Sequence, residues 1–159
     1  MKPEELDNIT CEDIALFDHA AKNDWIDAMY ERVNIDRNKL ANALRDMGKP
    51  PFYNDWWSHT NPTFGYCAVV TVALYKMLRE KGVKCKKMRI KGSYLISDEM
   101  QAIDHNFIIL ENGNVIIDLT AEQVDYCFPY HEAKAAHYVG NRPGRVRSSA
   151  ETLSERMKH

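Results

Sequence analysis

The sequence of 159 residues has few of the features that mark membrane-spanning, secreted or nucleic-acid-binding proteins. It has no uninterrupted apolar stretch that approaches the ~20 residues of a membrane-spanning helix. Its first residues are acidic where a secretory signal would be basic and then apolar, so we expect a soluble, cytoplasmic protein with no membrane partner. The formal net charge is only -2, and Lys and Arg are spread along the chain. This balance gives no electrostatic footprint for nucleic acid.

Paired cysteines are also lacking. Four cysteines lie far apart, without the C-x-x-C spacing of a zinc site or the pattern of a disulfide framework: Cys11, Cys67, Cys85 and Cys127. We interpret them as free thiols of a reducing compartment. An alternative metal site built from Cys127, His131 and His137 has a spacing that matches no ordinary ligand set. We therefore expect neither a metal nor another cofactor.

The sequence does contain enough apolar residues, 45% of the total, to build one compact core. We divide this single domain into a helical lobe (1–50), an aromatic loop (51–66), a helix-plus-sheet core (67–137) and a C-terminal extension with a short helix (138–159). Neither an internal repeat nor a low-complexity segment interrupts it. The predicted fold class is α+β.

Helix signals dominate the first fifty residues. Thr10 and Asp13 form a capping-box pattern before an apolar helix face that includes Leu16. A second helix is predicted over 25–33, and Asp36 has the position of an N-cap for a third helix. These signals predict the helical lobe.

The middle of the chain combines one apolar helix with several strands. The stretch 67–78 is almost wholly apolar and predicts a buried central helix that Gly82 ends. Three strand candidates follow it: 85–96, 102–111 and 114–119. We expect a small antiparallel sheet packed beside the central helix.

Two further capping-box patterns follow the predicted strands. Thr120 with Gln123 predicts a helix start just after the third strand, and Ser148 with Glu151 predicts the start of a short last helix. The segment 138–147 before that helix is rich in turn residues.

Cys67 stands at the predicted start of the central helix. Unpaired N–H groups and the helix dipole stabilise a thiolate at such a position. A nucleophilic thiol also needs a base, and His105 is the histidine that lies inside a predicted strand. Asp118, at the end of the next strand, can fix the imidazole tautomer. We predict these three residues as nucleophile, general base and orienting carboxylate.

The turn between the last two strands makes this grouping testable. Asn112-Gly113 favours a two-residue hairpin turn. This turn sets Thr120 opposite His105 and Phe107 opposite Asp118. His105 and Asp118 then become diagonal neighbours on one face of the sheet. The register therefore predicts a contact between the two side chains.

Acyl transfer also requires hydrogen-bond donors for an oxyanion. The backbone N–H of Cys67 is one candidate, and the side-chain amide of Asn61 is another, although Asn61-Pro62 is equally an ordinary turn. Aromatic residues of the preceding loop are candidates for a substrate cleft and equally for anchors to the core: Tyr53, Trp56, Trp57 and Tyr66.

Each candidate catalytic residue also has a structural explanation. A free cysteine beside an apolar helix is often a small core residue, and a strand histidine is often a packed, hydrogen-bonded group. An aspartate before Leu-Thr is often part of a turn. The combination of helix cysteine, strand histidine and adjacent-strand aspartate favours catalysis.

Three segments also carry a resemblance to known proteins: NPTFGYCAVVTVAL, HNFIILENGNVIIDLTAEQ and RSSAETLSERMK. In this order of cysteine, histidine and aspartate, the chain resembles the papain-like and transglutaminase-like cysteine hydrolase superfamily, and it looks like the YunG-like proteins. The likeness covers 61–123 well and the tail loosely. It implies a papain-like or transglutaminase-like core and a thiol mechanism on a carbonyl substrate, with Cys67, His105 and Asp118 in the roles given above and Asn61 as an oxyanion amide.

The resulting expectation is a cysteine hydrolase or acyltransferase that acts on an amide of a protein or peptide, either a peptide bond or a glutamine side chain. Water or an amine would resolve a thioester on Cys67. The alternative is a binding module without catalysis, which would use the aromatic loop 53–57 and the basic segment RPGRVR to bind a protein partner.

Overall fold

The computed structural model describes most of the chain: residues 1–50, 57–92, 104–112, 114–136 and 143–158. Several predicted features lie outside the described residues: Tyr53, Trp56, Gly113, His137, the end of the first predicted strand and the start of the second.

The described residues form an α+β structure, as the sequence predicts. Its helices are α1 (Cys11–Ala15), α2 (His19–Arg32), α3 (Arg37–Met47), α4 (Cys67–Glu80) and α5 (Pro143–Lys158). Its strands are β1 (Cys85–Ile90), β2 (His105–Leu110), β3 (Val115–Ile117) and β4 (Lys134–Ala135), and short 3-10 helices span Pro3–Asn8, Ala121–Gln123 and Tyr130–Glu132. Among the described helices, none is both long and apolar enough to cross a membrane.

The predicted capping box at the start of α1 is confirmed. The Asp13 N–H donates to Thr10 Oγ1 at 3.1 Å, and the Thr10 N–H donates to Asp13 Oδ2 at 2.9 Å. The predicted helix face is wrong at Leu16, however, because α1 ends at Ala15 and Leu16 is 85% exposed. The chain leaves the helix at this point, so Leu16 does not face the core.

A new N-cap explains why the second helix begins earlier than predicted. Asp18 accepts a hydrogen bond from the Ala21 N–H at 2.8 Å, and α2 starts directly after it. The predicted N-cap of α3 is confirmed, since Asp36 accepts from the Lys39 N–H at 3.0 Å.

The last helix is longer than predicted. It begins at Pro143, a residue well suited to a first helical position because its missing N–H would be unpaired there anyway. Ser148 therefore lies inside α5 instead of capping it. The buried residues Val146, Ala150 and Leu153 form one apolar face, with which α5 packs against α3 and α4.

The central helix α4 is buried along most of its length, as predicted, and it packs on β1 and β2. The sheet is antiparallel with the order β3-β2-β1-β4, in which the short β4 was not predicted. Ile108 lies opposite Ile117, and Leu110 lies opposite Val115. This is the register that the Asn112-Gly113 turn predicts, and it sets the end of β3 beside the start of β2.

Gly82 gives a test of how α4 ends. Its φ of 78° lies in the left-handed region, and a Cβ built there would meet no other atom within 4 Å. We expect Gly82→Ala to lower the free energy of unfolding by about 1 kcal/mol, because an L side chain disfavours this conformation. Urea denaturation measures the change.

Gly144 in α5 provides the matched control. It also has open space around a built Cβ, but its backbone is helical. Gly144→Ala should leave the free energy of unfolding unchanged or raise it slightly. Equal losses for the two variants would contradict the backbone explanation.

Candidate active site

The buried pair of His105 and Asp118 forms the centre of the site. His105 is the first residue of β2, and Asp118 directly follows the last residue of β3. The His105 Nε2 and Asp118 Oδ2 atoms are 2.6 Å apart, and each side chain is 1% exposed. The hairpin register thus brings together the two side chains that the sequence analysis paired.

Asp118 is held by further hydrogen bonds. The Tyr130 hydroxyl donates to Oδ2 at 2.6 Å, while the Thr120 N–H and hydroxyl donate to Oδ1 at 3.3 and 3.4 Å. A buried carboxylate needs such partners because it has lost its contact with water. These donors fix the carboxylate in front of the His105 ring.

The predicted capping box of Thr120 and Gln123 is wrong. The chain forms only the short 3-10 helix Ala121–Gln123, and Thr120 makes no side-chain cap hydrogen bond. Both side chains instead point into the site, where Thr120 contacts Asp118 and Gln123 contacts His105. Hydrogen bonds to the buried Asp118 carboxylate and to the His105 ring stabilise the structure more than a cap on a single helical turn would.

Aromatic side chains hold the His105 ring in place. The Phe128 ring lies parallel to it with the centroids 3.6 Å apart, and Phe107 and Tyr130 flank it at 6.1 and 6.5 Å. Sequence reasoning did not identify Phe128 or Tyr130 as site residues. Their segment carries no local signal for the contact, which tertiary packing creates.

Cys67 is the first residue of α4 and is 9% exposed. Its Sγ lies 3.9 Å from the Asp104 carbonyl oxygen and accepts from Asn106 Nδ2 at 3.7 Å. Successive residues of a strand point to opposite faces, so Asn106 belongs to the face opposite His105, yet its amide reaches the thiol. The thiol lies beside the backbone at the start of β2, so side chains from both faces of the strand approach it.

The electrostatics of the site favour a charged thiol and imidazole. Burial acts to raise the pKa of the Cys67 thiol, but hydrogen bonding with His105, the charge of His105 and hydrogen bonds from Asn106 lower it below its ordinary value. Burial acts to lower the pKa of His105, but Asp118 and then Cys67 raise it to about 9. Each partner therefore stabilises the ionised form of the other.

The other cysteines differ from Cys67. All four are free thiols, as predicted. Burial raises the pKa of Cys11, Cys85 and Cys127 above the ordinary value. Cys67 is thus distinguished by its partners and not by burial alone.

The predicted oxyanion residue Asn61 lies next to the site. Its Nδ2 donates to the Gln123 carbonyl oxygen at 3.1 Å, so it ties the loop before α4 to the segment after β3. Asn61 and Gln123 also border a cleft of about 400 Å³. A role for Asn61 in binding an oxyanion stays a prediction.

The predicted cleft residues Trp57 and Tyr66 are anchors in the described conformation. Trp57 Nε1 donates to the Pro62 carbonyl oxygen at 2.9 Å, and the Tyr66 hydroxyl donates to the Gly48 carbonyl oxygen at 2.6 Å. Both side chains are buried, and Tyr66 is only 2% exposed. Their rings fill the core around the loop and present no open surface to a substrate.

Within the described ranges, no group of three or more His, Cys, Asp or Glu side chains could hold a metal ion, and His137 lies outside those ranges. Comparisons with family models, curated proteins and solved structures give no significant match to this chain. Function is therefore inferred from the geometry and chemistry of the site.

Tyr130 provides a test of how the carboxylate is held. We expect Tyr130→Phe to lower the free energy of unfolding by about 2 kcal/mol, because it removes a donor to a buried charged group. Tyr30→Phe, which removes a 2.8 Å hydrogen bond to the neutral Leu119 carbonyl, should cost about 1 kcal/mol. Urea denaturation of both variants at pH 7 makes the comparison. A loss for Tyr130→Phe no larger than for Tyr30→Phe would contradict a charged acceptor.

Proposed function

We propose that the protein is a cysteine-dependent hydrolase or acyltransferase that acts on an amide through a thioester on Cys67. The observation that carries this proposal is the position of His105, which pairs with Asp118 at 2.6 Å and lowers the pKa of the Cys67 thiol. A thiol activated in this way, at the start of a helix, is suited to attack a carbonyl carbon.

In the proposed first half-reaction, the Cys67 thiolate attacks the amide carbonyl carbon and forms a tetrahedral oxyanion. The backbone N–H of Cys67 is one proposed donor to this oxygen and the Asn61 amide is the second. Protonated His105 then gives its proton to the nitrogen of the leaving amine, the C–N bond breaks and an acyl thioester remains.

In the second half-reaction, neutral His105 takes a proton from water or from an incoming amine, which attacks the thioester carbonyl carbon. The C–S bond breaks, the thiolate returns, and the product is an acid or a new amide. Asp118 stays ionised and stabilises the imidazolium in both halves. The acceptor decides between hydrolysis and transfer.

The proposed substrate is a protein or peptide, attacked at a peptide bond or a glutamine side chain in the cytoplasm. The resemblance to papain-like and transglutaminase-like cysteine hydrolases supports this substrate class, and the free thiols support a reducing compartment. The second candidate is a non-catalytic protein-binding module. The near-complete burial of His105 and Cys67 favours it, because such groups also serve as packed core residues.

Thiol labelling separates these two candidates. Below pH 7, iodoacetamide should label Cys67 much faster than Cys11, Cys85 or Cys127, because only Cys67 has a lowered pKa. His105→Ala should abolish this preference. Mass spectrometry of digested protein over a pH series measures the rate at each cysteine.

His131→Ala is the matched control, since the His131 side chain is 70% exposed and lies outside the site. This variant should keep the wild-type labelling pattern. Slow, uniform labelling of all four cysteines in the folded wild-type protein would reject the activated thiol and favour the binding module.

A further inference from the structure

Gln123 is a buried polar residue that the proposed reaction does not use. Its side chain is almost inaccessible, at 4% exposure, and both ends of its amide make hydrogen bonds. One end contacts the backbone of Gly65, two residues before Cys67, and the other contacts the ring of His105. It therefore links the loop that carries the nucleophile to the base.

The orientation of this amide follows from its partners. The backbone N–H of Gly65 can only donate, so the atom that faces it at 3.1 Å is the acceptor Oε1. The donor Nε2 then faces His105 Nδ1 at 3.2 Å. A reversed amide would set two donors against each other at Gly65.

The same reasoning fixes the protonation of the ring. His105 Nε2 carries a hydrogen because its partner, 2.6 Å away, is the Asp118 carboxylate. Nδ1 faces a donor, so it offers a lone pair in this arrangement. When the ring is neutral, the chain of hydrogen bonds from Gly65 through Gln123 and His105 to Asp118 therefore selects the tautomer protonated on Nε2.

The Gln123 amide and the thiol proton of Cys67 compete for Nδ1 of His105. Because Nε2 is committed to Asp118, a proton that leaves Cys67 has only Nδ1 to accept it. Asp118 and Cys67 raise the pKa of His105, whereas a donor held against Nδ1 acts in the opposite direction. The amide of Gln123 thus opposes formation of the thiolate–imidazolium pair.

We infer that Gln123 is a positioning residue that keeps Nδ1 of His105 as a proton acceptor and releases it when the proton of Cys67 is transferred. This inference rests on the proposed function, since it assigns Gln123 to the same thiol chemistry. The released N–H has a second acceptor nearby, because Gln123 Nε2 lies 3.4 Å from Thr120 Oγ1.

Several charged and titratable groups surround the His105 ring. Cys67 of α4 and Asp118 after β3 contact His105 directly, and the Tyr130 hydroxyl acts through the Asp118 oxygen that it shares with the ring. Lys22 of α2 interacts with Asp118 through its charge. All of these groups are unchanged when Gln123 alone is replaced.

The first experiment follows the pH dependence of iodoacetamide labelling at Cys67. Gln123→Met removes the donor from Nδ1 at similar side-chain length. It should move the inflection of the labelling rate to lower pH by about one unit, the equivalent of one lost hydrogen bond of about 1 kcal/mol. An unchanged inflection, or a move to higher pH, would overturn the inference.

Gln123→Glu has nearly the same shape, but its carboxylate accepts from Nδ1 and stabilises the imidazolium, so this variant serves the ring titration described below. Val124→Ala, a neighbouring buried apolar residue, controls for loosened packing in the labelling experiment and should leave the inflection in place. An equal shift in Gln123→Met and Val124→Ala would also overturn the inference.

A second readout does not depend on a reactive thiol. In the Cys67→Ala background, NMR titration of the His105 ring should give a pKa that rises about one unit with Gln123→Met and further with Gln123→Glu. If the His105 pKa values follow this order while the four cysteines of the wild-type protein are labelled at equal rates, the role of Gln123 stands and only the proposed function is rejected. Titrations that coincide in all three proteins would reject the role of Gln123 itself.

Discussion

The described site depends on the hydrogen bond between the buried side chains of His105 and Asp118. Two ionisable side chains, each 1% exposed, lie 2.6 Å apart, and burial without partners would cost several kcal/mol. The hairpin sets the register that aligns them, and Tyr130 and Thr120 supply the remaining donors to the carboxylate. The segments after β3 therefore adopt the conformation that supplies hydrogen-bond donors to this pair.

The thiol gains its character from the same pair. A cysteine at a helix start has a favourable dipole but, at 9% exposure, also a strong tendency to stay protonated. His105, stabilised as a cation by Asp118, reverses this tendency, and the Asn106 amide adds a hydrogen bond to sulfur. Gln123 acts against both by donating to the ring nitrogen that the proton must reach. The balance between these contacts sets how much of the thiol is ionised before substrate arrives.

Local sequence signals predicted the parts of this arrangement that depend on local geometry. The Asn112-Gly113 turn gave the strand register, and the apolar run after Cys67 gave the central helix, because both depend on residues close in the chain. Contacts of Phe128 and Tyr130 with the ring could not be predicted, since they arise where distant segments pack. The pattern of Thr120 and Gln123 predicts a helix cap that does not form, because the same two residue types can cap a helix or hydrogen-bond to buried groups. Only the position of His105 and Asp118 decides between these outcomes.

Acylation by a generic activated ester tests the central claim most directly, because it asks whether Cys67 forms a thioester with help from His105. Wild-type protein and the His105→Ala variant are incubated with p-nitrophenyl acetate near neutral pH, quenched with acid, digested and analysed by mass spectrometry. A nucleophilic thiol predicts one acetyl group, on Cys67, in the wild-type protein and its loss in the variant. Acetylation spread evenly over the four cysteines, or equal acetylation of Cys67 in both proteins, would contradict the account.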